Sequence, residues 1–154
     1  MPASTQTTRQ PAKPGHRRFR LMVEPTDDGA FGLRLHESNG RPDHSRPVAH
    51  LAAARYPKAS DAVLAALERS GHKPRAIGPT RRQPIELEEG AGVRLALALN
   101  AIHGITKLGR TRAILDGVAR LSEEECLYWY AACCSGNPSD MRRTKALRIY
   151  LASE

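Results

Sequence analysis

Three cysteines near the C-terminus are the residues of this sequence best suited to chemistry. Cys126 and Cys133 are seven positions apart, and Cys134 follows directly. Structural zinc sites usually take two thiolates from one CxxC-type turn, and the sequence contains no such spacing. The six histidines form neither an HExxH nor an HxH pattern. Buried structural cysteine is therefore the better interpretation, and we predict no metal site.

Catalytic and cofactor motifs are missing as well. The sequence contains neither GxSxG nor the phosphate-binding patterns GxxxxGKS/T and GxGxxG. Gly90 and Gly92 form a lone GxG at a predicted helix start, where the preceding glutamates would repel an anion, so close packing explains them better. The acidic run 123–125 follows Ser122 and is typical of a helix capping box. We therefore predict no catalytic residue and no cofactor.

Two single residues in the second half stand out. Arg94 lies on a strip of alanines in an otherwise bulky apolar helix, which predicts a structural ion pair with Glu124 or Glu125. The alternative is that this strip faces solvent. At 100° per residue, Tyr128 points away from an inward stripe formed by Cys126, Trp129, Tyr130 and Cys133. Tyr128 is therefore predicted to contact a protein partner rather than a nucleic-acid base.

Positive charge is concentrated at the N-terminus. The net charge is +8, and residues 1–20 hold five of the 24 lysines and arginines but no acidic residue. A mobile basic tail attracts polyanions such as nucleic acid. The alternative for the basic residues on the helices is a solvated surface. Seven residues are predicted as nucleic-acid contacts: Arg9, Lys13, Arg17, Arg81, Arg82, Arg142 and Lys145.

The cysteine count and the hydropathy pattern indicate a compartment. No apolar stretch approaches the roughly 20 residues that cross a bilayer, and the N-terminus has no apolar segment typical of a secretory signal. An odd, clustered set of three cysteines is a poor disulfide framework. We expect a cytoplasmic protein that does not enter a membrane.

Alternating apolar residues predict a β-hairpin in the first third of the chain. Two runs lie on either side of Asp28-Gly29: Phe19, Leu21 and Val23, then Phe31, Leu33 and Leu35. Asp-Gly between two such runs is typical of a hairpin turn. Residues 48–53 fit a third strand, with a short helix as the alternative. Ser60 is typical of the N-cap of a helix that covers the apolar face of this sheet.

Composition divides the chain into four parts. Residues 1–16 are rich in Pro, Ser, Thr and Gln and are predicted to be a disordered basic tail. Residues 17–72 form the strand-and-helix layer, and residues 73–86, basic and rich in proline, are predicted to be a linker. Residues 87–154 form a four-helix unit whose first helix is apolar nearly all round, as a central helix is. The predicted class is α+β: a small antiparallel sheet, one covering helix and a four-helix C-terminal unit.

Several short motifs of the second half resemble a known family. They are Glu89, Gly92-Val93-Arg94-Leu95, Ser122-Glu123-Glu124-Glu125, Tyr128-Trp129-Tyr130-Ala131, Cys133 and Lys145-Ala146-Leu147-Arg148. Over residues 85–150 the chain resembles a family of small, uncharacterised bacterial proteins encoded near DNA-modification and anti-phage defence genes. The resemblance implies a subunit that docks on a larger nucleic-acid-processing complex, and it implies no particular chemistry.

Three hypotheses for function follow. The first is a non-catalytic accessory module that docks by a protein surface on a bacterial defence or DNA-processing complex. The alternative is a direct nucleic-acid binder of weak sequence specificity, which uses the basic tail and the arginines that flank the helices. The second alternative is an enzyme of a type that its motifs do not reveal.

Overall fold

Four antiparallel strands and five helices make up the described part of the chain in the computed structural model, which covers residues 17–25, 31–38, 46–51, 57–69, 85–134 and 140–152. The strands are β1 (Arg18–Pro25), β2 (Phe31–Ser38), β3 (Arg46–Leu51) and β4 (Ile85–Leu87). The helices are α1 (Pro57–Arg69), α2 (Glu89–Ile102), α3 (Leu108–Arg120), α4 (Glu123–Cys133) and α5 (Asp140–Ala152). The strand order is β3-β2-β1-β4. The predicted α+β class is confirmed, while the predicted tail 1–16 lies outside the described residues.

The predicted hairpin is formed by β1 and β2. Its register runs from Arg18 opposite Ser38 to Pro25 opposite Phe31. The inward positions of the two strands are fully buried: Phe19, Leu21, Leu33 and Leu35. The open alternative at 48–53 resolves as a strand over 48–51, because β3 pairs antiparallel with β2 over Arg46–Leu51, while residues 52 and 53 lie outside the described part. The period-two pattern therefore identified the face of the sheet that meets the core.

A fourth strand corrects the predicted linker. The sequence predicts a linker over 73–86, but Ile85–Leu87 pair with β1 on the edge opposite β3. Leu87 is buried in the core, and Glu86 Oε2 lies 3.0 Å from Arg20 Nε across the pair. Three residues are too few to show a periodicity, so the strand has no signal of its own in the sequence. Residues 73–84 lie outside the described part.

Helix α1 covers the sheet as predicted but begins earlier than predicted. It starts at Pro57 and packs against β2 and α3. Proline is favoured at the first helical position because its φ is preset and the missing N–H is one that the helix leaves unpaired there. Ser60 is buried inside the helix, so the prediction of Ser60 as its N-cap is wrong.

Helix α2 is the centre of the fold. Nine of its fourteen residues are buried, and it packs against α3, α4, α5, β1 and β3. Gly92 is needed for the contact with β1, because a Cβ there would lie 2.0 Å from Cδ1 of Phe19. No atom lies within 4 Å of a Cβ built on Gly90. Close packing therefore explains one glycine of the GxG pair.

The predicted capping box is present at the start of α4. Ser122 Oγ accepts a hydrogen bond from the backbone N–H of Glu125 at 3.1 Å, and Glu125 Oε1 accepts one from the N–H of Ser122 at 2.9 Å. Two donors that the helix leaves unpaired are thus satisfied reciprocally. The local sequence was sufficient to fix this helix start.

Candidate functional site

A buried polar cluster joins the sheet to the helices. Glu37 of β2 is buried, and its Oε1 accepts a hydrogen bond from the hydroxyl of Tyr130 in α4. Arg46 Nη2 of β3 lies 3.3 Å from the same oxygen, and Arg17 Nε lies 3.9 Å from it. Arg17 Nη1 also pairs with Glu89 Oε2 at 2.9 Å. We call these five residues the buried polar cluster.

The chemistry of this cluster is that of a structural bridge. Two arginines offset two glutamates, and Arg46 Nη1 also donates to the backbone oxygen of Cys134 at 2.9 Å. Burial, and then the hydrogen bond to Glu37, raise the pKa of Tyr130 far above its ordinary value. Tyr130 therefore remains a protonated donor and is neither a base nor a nucleophile at neutral pH. These polar contacts link β2, β3, α2 and α4.

The position of Arg17 corrects one predicted nucleic-acid contact. Its side chain is only 16% exposed. Its guanidinium carbon lies 5.7 Å from the centre of the Tyr130 ring, in cation–π contact. Because Glu89 is 72 positions away, this pairing has no signal in the sequence. Its charge is engaged inside the fold.

Arg94 also has partners other than those predicted. Its Nη1 donates to the backbone oxygen of Val118 at 2.8 Å and approaches that of Ala119 at 3.4 Å. Among the described residues it forms no ion pair with Glu124 or Glu125, which corrects the predicted pair. The C-terminal carbonyls and negative dipole end of a helix attract a cation, so α3 supplies the partner that a carboxylate was expected to provide.

Tyr128 belongs to an exposed aromatic surface shared by α4 and α5. The side chains of Tyr128, Ile149 and Tyr150 are 64%, 71% and 37% exposed. Trp129, predicted to face the core, is partly buried and packs between the two tyrosines, with ring centroids at 5.2 Å from Tyr128 and 5.7 Å from Tyr150. We call these four residues the aromatic surface.

Charged residues of opposite sign lie at the two ends of the aromatic surface. The hydroxyl of Tyr150 near the end of α5 donates to Glu125 in the first turn of α4, so the two helices run antiparallel. Exposed Glu124 precedes Tyr128 by one turn at the acidic end. Exposed Arg142, on the Ile149 face of α5, lies at the opposite, basic end.

The other six predicted nucleic-acid contacts are either exposed on α5 or outside the described part of the chain. Arg142 and Lys145 are both exposed on α5. Arg9, Lys13, Arg81 and Arg82 lie outside the described residues. The structure thus brings two of the seven predicted nucleic-acid contacts together on one helix.

The three cysteines are buried thiols. None of them forms a disulfide, and burial raises the pKa of the Cys126 thiol although Arg94 acts to lower it. Within the described ranges no three His, Cys, Asp or Glu side chains are grouped as a metal site requires. No helix of those ranges combines the length and the apolarity needed to cross a bilayer.

Sequence reasoning missed the buried polar cluster, although one signal for it exists. Glu37 continues the period-two series after Leu33 and Leu35, which places a carboxylate on the apolar face of the hairpin. A buried carboxylate requires a partner. The partners are distant in sequence, so the signal predicts that they exist but not which residues they are.

The comparisons with known proteins concern almost the whole fold. Residues 19–153 match the model of a family described as Domain of unknown function (DUF7680). Neither a curated protein nor a solved structure matches the chain. The match begins at Phe19 of β1 and extends past the last turn of α5, so sheet and helices belong to one family pattern.

Proposed function

We propose that this chain, which belongs to the DUF7680 family of unknown function, is a non-catalytic module that docks on a protein partner through its aromatic surface. The observation that carries the proposal is the joint exposure of Tyr128, Ile149 and Tyr150 on two packed helices. A contiguous apolar patch rimmed by polar residues is typical of a protein interaction site. Aromatic side chains also supply much of the binding energy at such sites.

The partner's chemistry follows from the surface. Its contact segment carries apolar side chains at its centre, a basic residue opposite Glu124 and an acidic residue opposite Arg142. Two tyrosines and one isoleucine expose on the order of a few hundred Å² of apolar area, which is the core of an ordinary interface. Obligate dimers bury about 2,000 Å² or more. We therefore propose reversible docking on a different protein rather than obligate self-association.

A non-catalytic role is supported by the contacts and the burial of the side chains that could otherwise react. Tyr130 and Glu37 are bonded to each other, and the three thiols are buried. The buried thiols also support our proposal of a reducing, cytoplasmic location. Residues 85–150 resemble a family encoded near DNA-modification and defence genes. This resemblance suggests the class of partner, a subunit of a nucleic-acid-processing complex.

The test is an affinity capture from the native host in the presence of nuclease. The full chain is compared with Ile149→Asp, which places a charge in the aromatic surface, and with Arg112→Ala, an exposed change on α3. We expect a protein that survives nuclease, is retained by Arg112→Ala and is lost with Ile149→Asp. Purified chain and partner should then bind directly with the same dependence.

Three outcomes contradict the proposal. Capture that Ile149→Asp leaves unchanged would place docking elsewhere, and capture that nuclease abolishes would mean that nucleic acid bridges the proteins. A dimer in sedimentation that Ile149→Asp dissociates would make a second copy the occupant of the surface. Direct nucleic-acid binding is the second candidate function, and a separate groove favours it.

A further inference from the structure

A groove of about 540 Å³ separates the edge strand β3 from α2, α4 and α5. Its polar lining is basic or neutral, and none of the described residues that line it is acidic. The polar side chains are His50, Asn100, His103, Thr144, Lys145 and Arg148. A concave site with one sign of charge concentrates counter-ions. The lining therefore favours an anion.

Arg148 is held rigidly at the wall of this groove. Its Nε donates to the backbone oxygen of Ala101 at 2.6 Å, and its Nη2 donates to that of His103 at 2.5 Å. Both acceptors lie at the C-terminal end of α2. The carbonyls of α2 partly offset its charge, but no carboxylate is among its described partners and its Nη1 makes no described hydrogen bond, so an anion can still bind there. Its Nη1 group can donate to a phosphate oxygen, and such charge-assisted hydrogen bonds are strong.

A second arginine adds to the excess of positive charge. Partial burial lowers the pKa of Arg148, and the positive charge of Arg110 lowers it further. An anion bound beside two neighbouring positive charges relieves their repulsion. The nearby positive charge of Arg110 agrees with the excess of basic over acidic side chains in the described lining of the groove.

Addition of a peptide strand to the edge of β3 is disfavoured. Asn100 Nδ2 donates to the backbone oxygen of Val48 at 3.1 Å, so the helix side chain already occupies an edge carbonyl. The same amide donates to Ala96 O at 2.9 Å and contacts Cys134 Sγ at 3.2 Å. An edge that accepts a new strand needs unpaired backbone groups.

The positive charge continues beyond the groove along α5. Arg142, Lys145 and Arg148 recur every three residues, which forms a ridge from the exposed face to the groove wall. Six residues of helix span about 9 Å. A ligand with one phosphate meets only part of this ridge, whereas a chain of phosphates follows it.

We propose that this groove and ridge bind the phosphodiester backbone of a nucleic acid without reading its sequence. No Phe, Tyr or Trp is among the described residues that line the groove, so the large aromatic rings that usually stack on bases are missing from its described lining. The ridge shares Arg142 with the basic end of the aromatic surface, whereas the groove has no lining residue in common with that surface.

The test is fluorescence anisotropy with a labelled single-stranded oligonucleotide of mixed sequence. Lys145→Glu and the control Arg112→Glu each replace one exposed cation by a carboxylate, and both retain the N-terminal tail. We expect Lys145→Glu to weaken binding about tenfold and to flatten the salt slope by about 0.7. Arg112→Glu should change the affinity less than about threefold, and Tyr128→Ser should leave it unchanged.

Equal weakening by the Lys145 and Arg112 variants would overturn the proposal, because diffuse attraction would then explain the affinity. Inorganic phosphate is titrated separately, with amide NMR signals of His50 and His103 as the readout. If phosphate shifts these signals in a Lys145-dependent way while the oligonucleotide does not bind, the groove takes a free phosphate and not a polymer. Loss of docking by Ile149→Asp alone has no bearing on either result.

Discussion

The hydroxyl of Tyr130 donates its hydrogen bond to the carboxylate of Glu37, which lies 93 positions earlier in the chain. The same ring packs edge-on against Phe19 of β1, with centroids 5.8 Å apart and planes at 83°. One side chain of α4 thus contacts two strands, once by a polar group and once by an aromatic edge. The stability of the helical part is therefore coupled to that of the sheet.

Replacement of Tyr130 by phenylalanine tests the polar half of this relationship. Tyr130→Phe keeps the contact with Phe19 but removes a donor from a buried carboxylate, so we expect a loss of about 1–3 kcal/mol in the free energy of unfolding. The control is Tyr128→Phe, which should change it by less than about 0.5 kcal/mol because Tyr128 is exposed. Urea titrations measure both. Equal values for the two variants would mean that the Glu37 bond adds nothing to stability.

The same pair predicts a dependence of stability on alkaline pH. The folded state raises the pKa of Tyr130 above its ordinary value of 10.0, chiefly by burial and then through Glu37. Above that pH the unfolded chain loses the phenolic proton while the folded chain keeps it, so stability falls as the pH rises. Below about pH 10 the contribution of protonated Tyr130 to folding stability is fully present. We expect the wild-type free energy of unfolding to fall more steeply above about pH 10 than that of Tyr130→Phe, by up to about 1.4 kcal/mol per pH unit. Parallel curves would contradict the assignment.

Alanine at the two glycines of α2 should have opposite effects. Gly92→Ala places a Cβ 2.0 Å from Phe19 Cδ1, so the ring must shift within a packed core, and we expect a loss of about 1–3 kcal/mol. Gly90→Ala meets no atom within 4 Å and should gain up to about 1 kcal/mol from the better helix propensity of alanine. Thermal unfolding followed by circular dichroism measures both. A loss at Gly90 equal to that at Gly92 would mean that the Phe19 contact is not the cause.

Features encoded over short distances could be predicted from the sequence. The hairpin follows from alternation at Phe19, Leu21, Leu33 and Leu35, and the start of α4 follows from Ser122 and Glu125. Each depends on residues that are neighbours in the chain or on one face of one element. Local propensity and periodicity are sufficient to predict such features.

The partners of charged residues could not be predicted in the same way. Arg17 meets Glu89 and Arg94 meets carbonyls of α3, at separations of 72 and 24 residues. Many acceptors are compatible with one guanidinium, and only the packing of the helices selects among them. For Arg94 the sequence led to a carboxylate because any residue type can supply a backbone carbonyl at a helix end.

Arg94 could be held by the carbonyls of α3 or by an ion pair with Glu124, and substitutions distinguish these two explanations. Arg94→Ala should cost about 1–2 kcal/mol, because the carbonyls of Val118 and Ala119 lose a cationic donor at a helix C-terminus. Arg94→Lys should recover about half of that loss, since an ammonium also donates to a carbonyl whereas it replaces a paired guanidinium poorly. A double-mutant cycle of Arg94→Ala with Glu124→Gln in urea denaturation should give a coupling below about 0.3 kcal/mol. Coupling above about 1 kcal/mol, with no recovery by lysine, would restore the ion pair with Glu124 in solution.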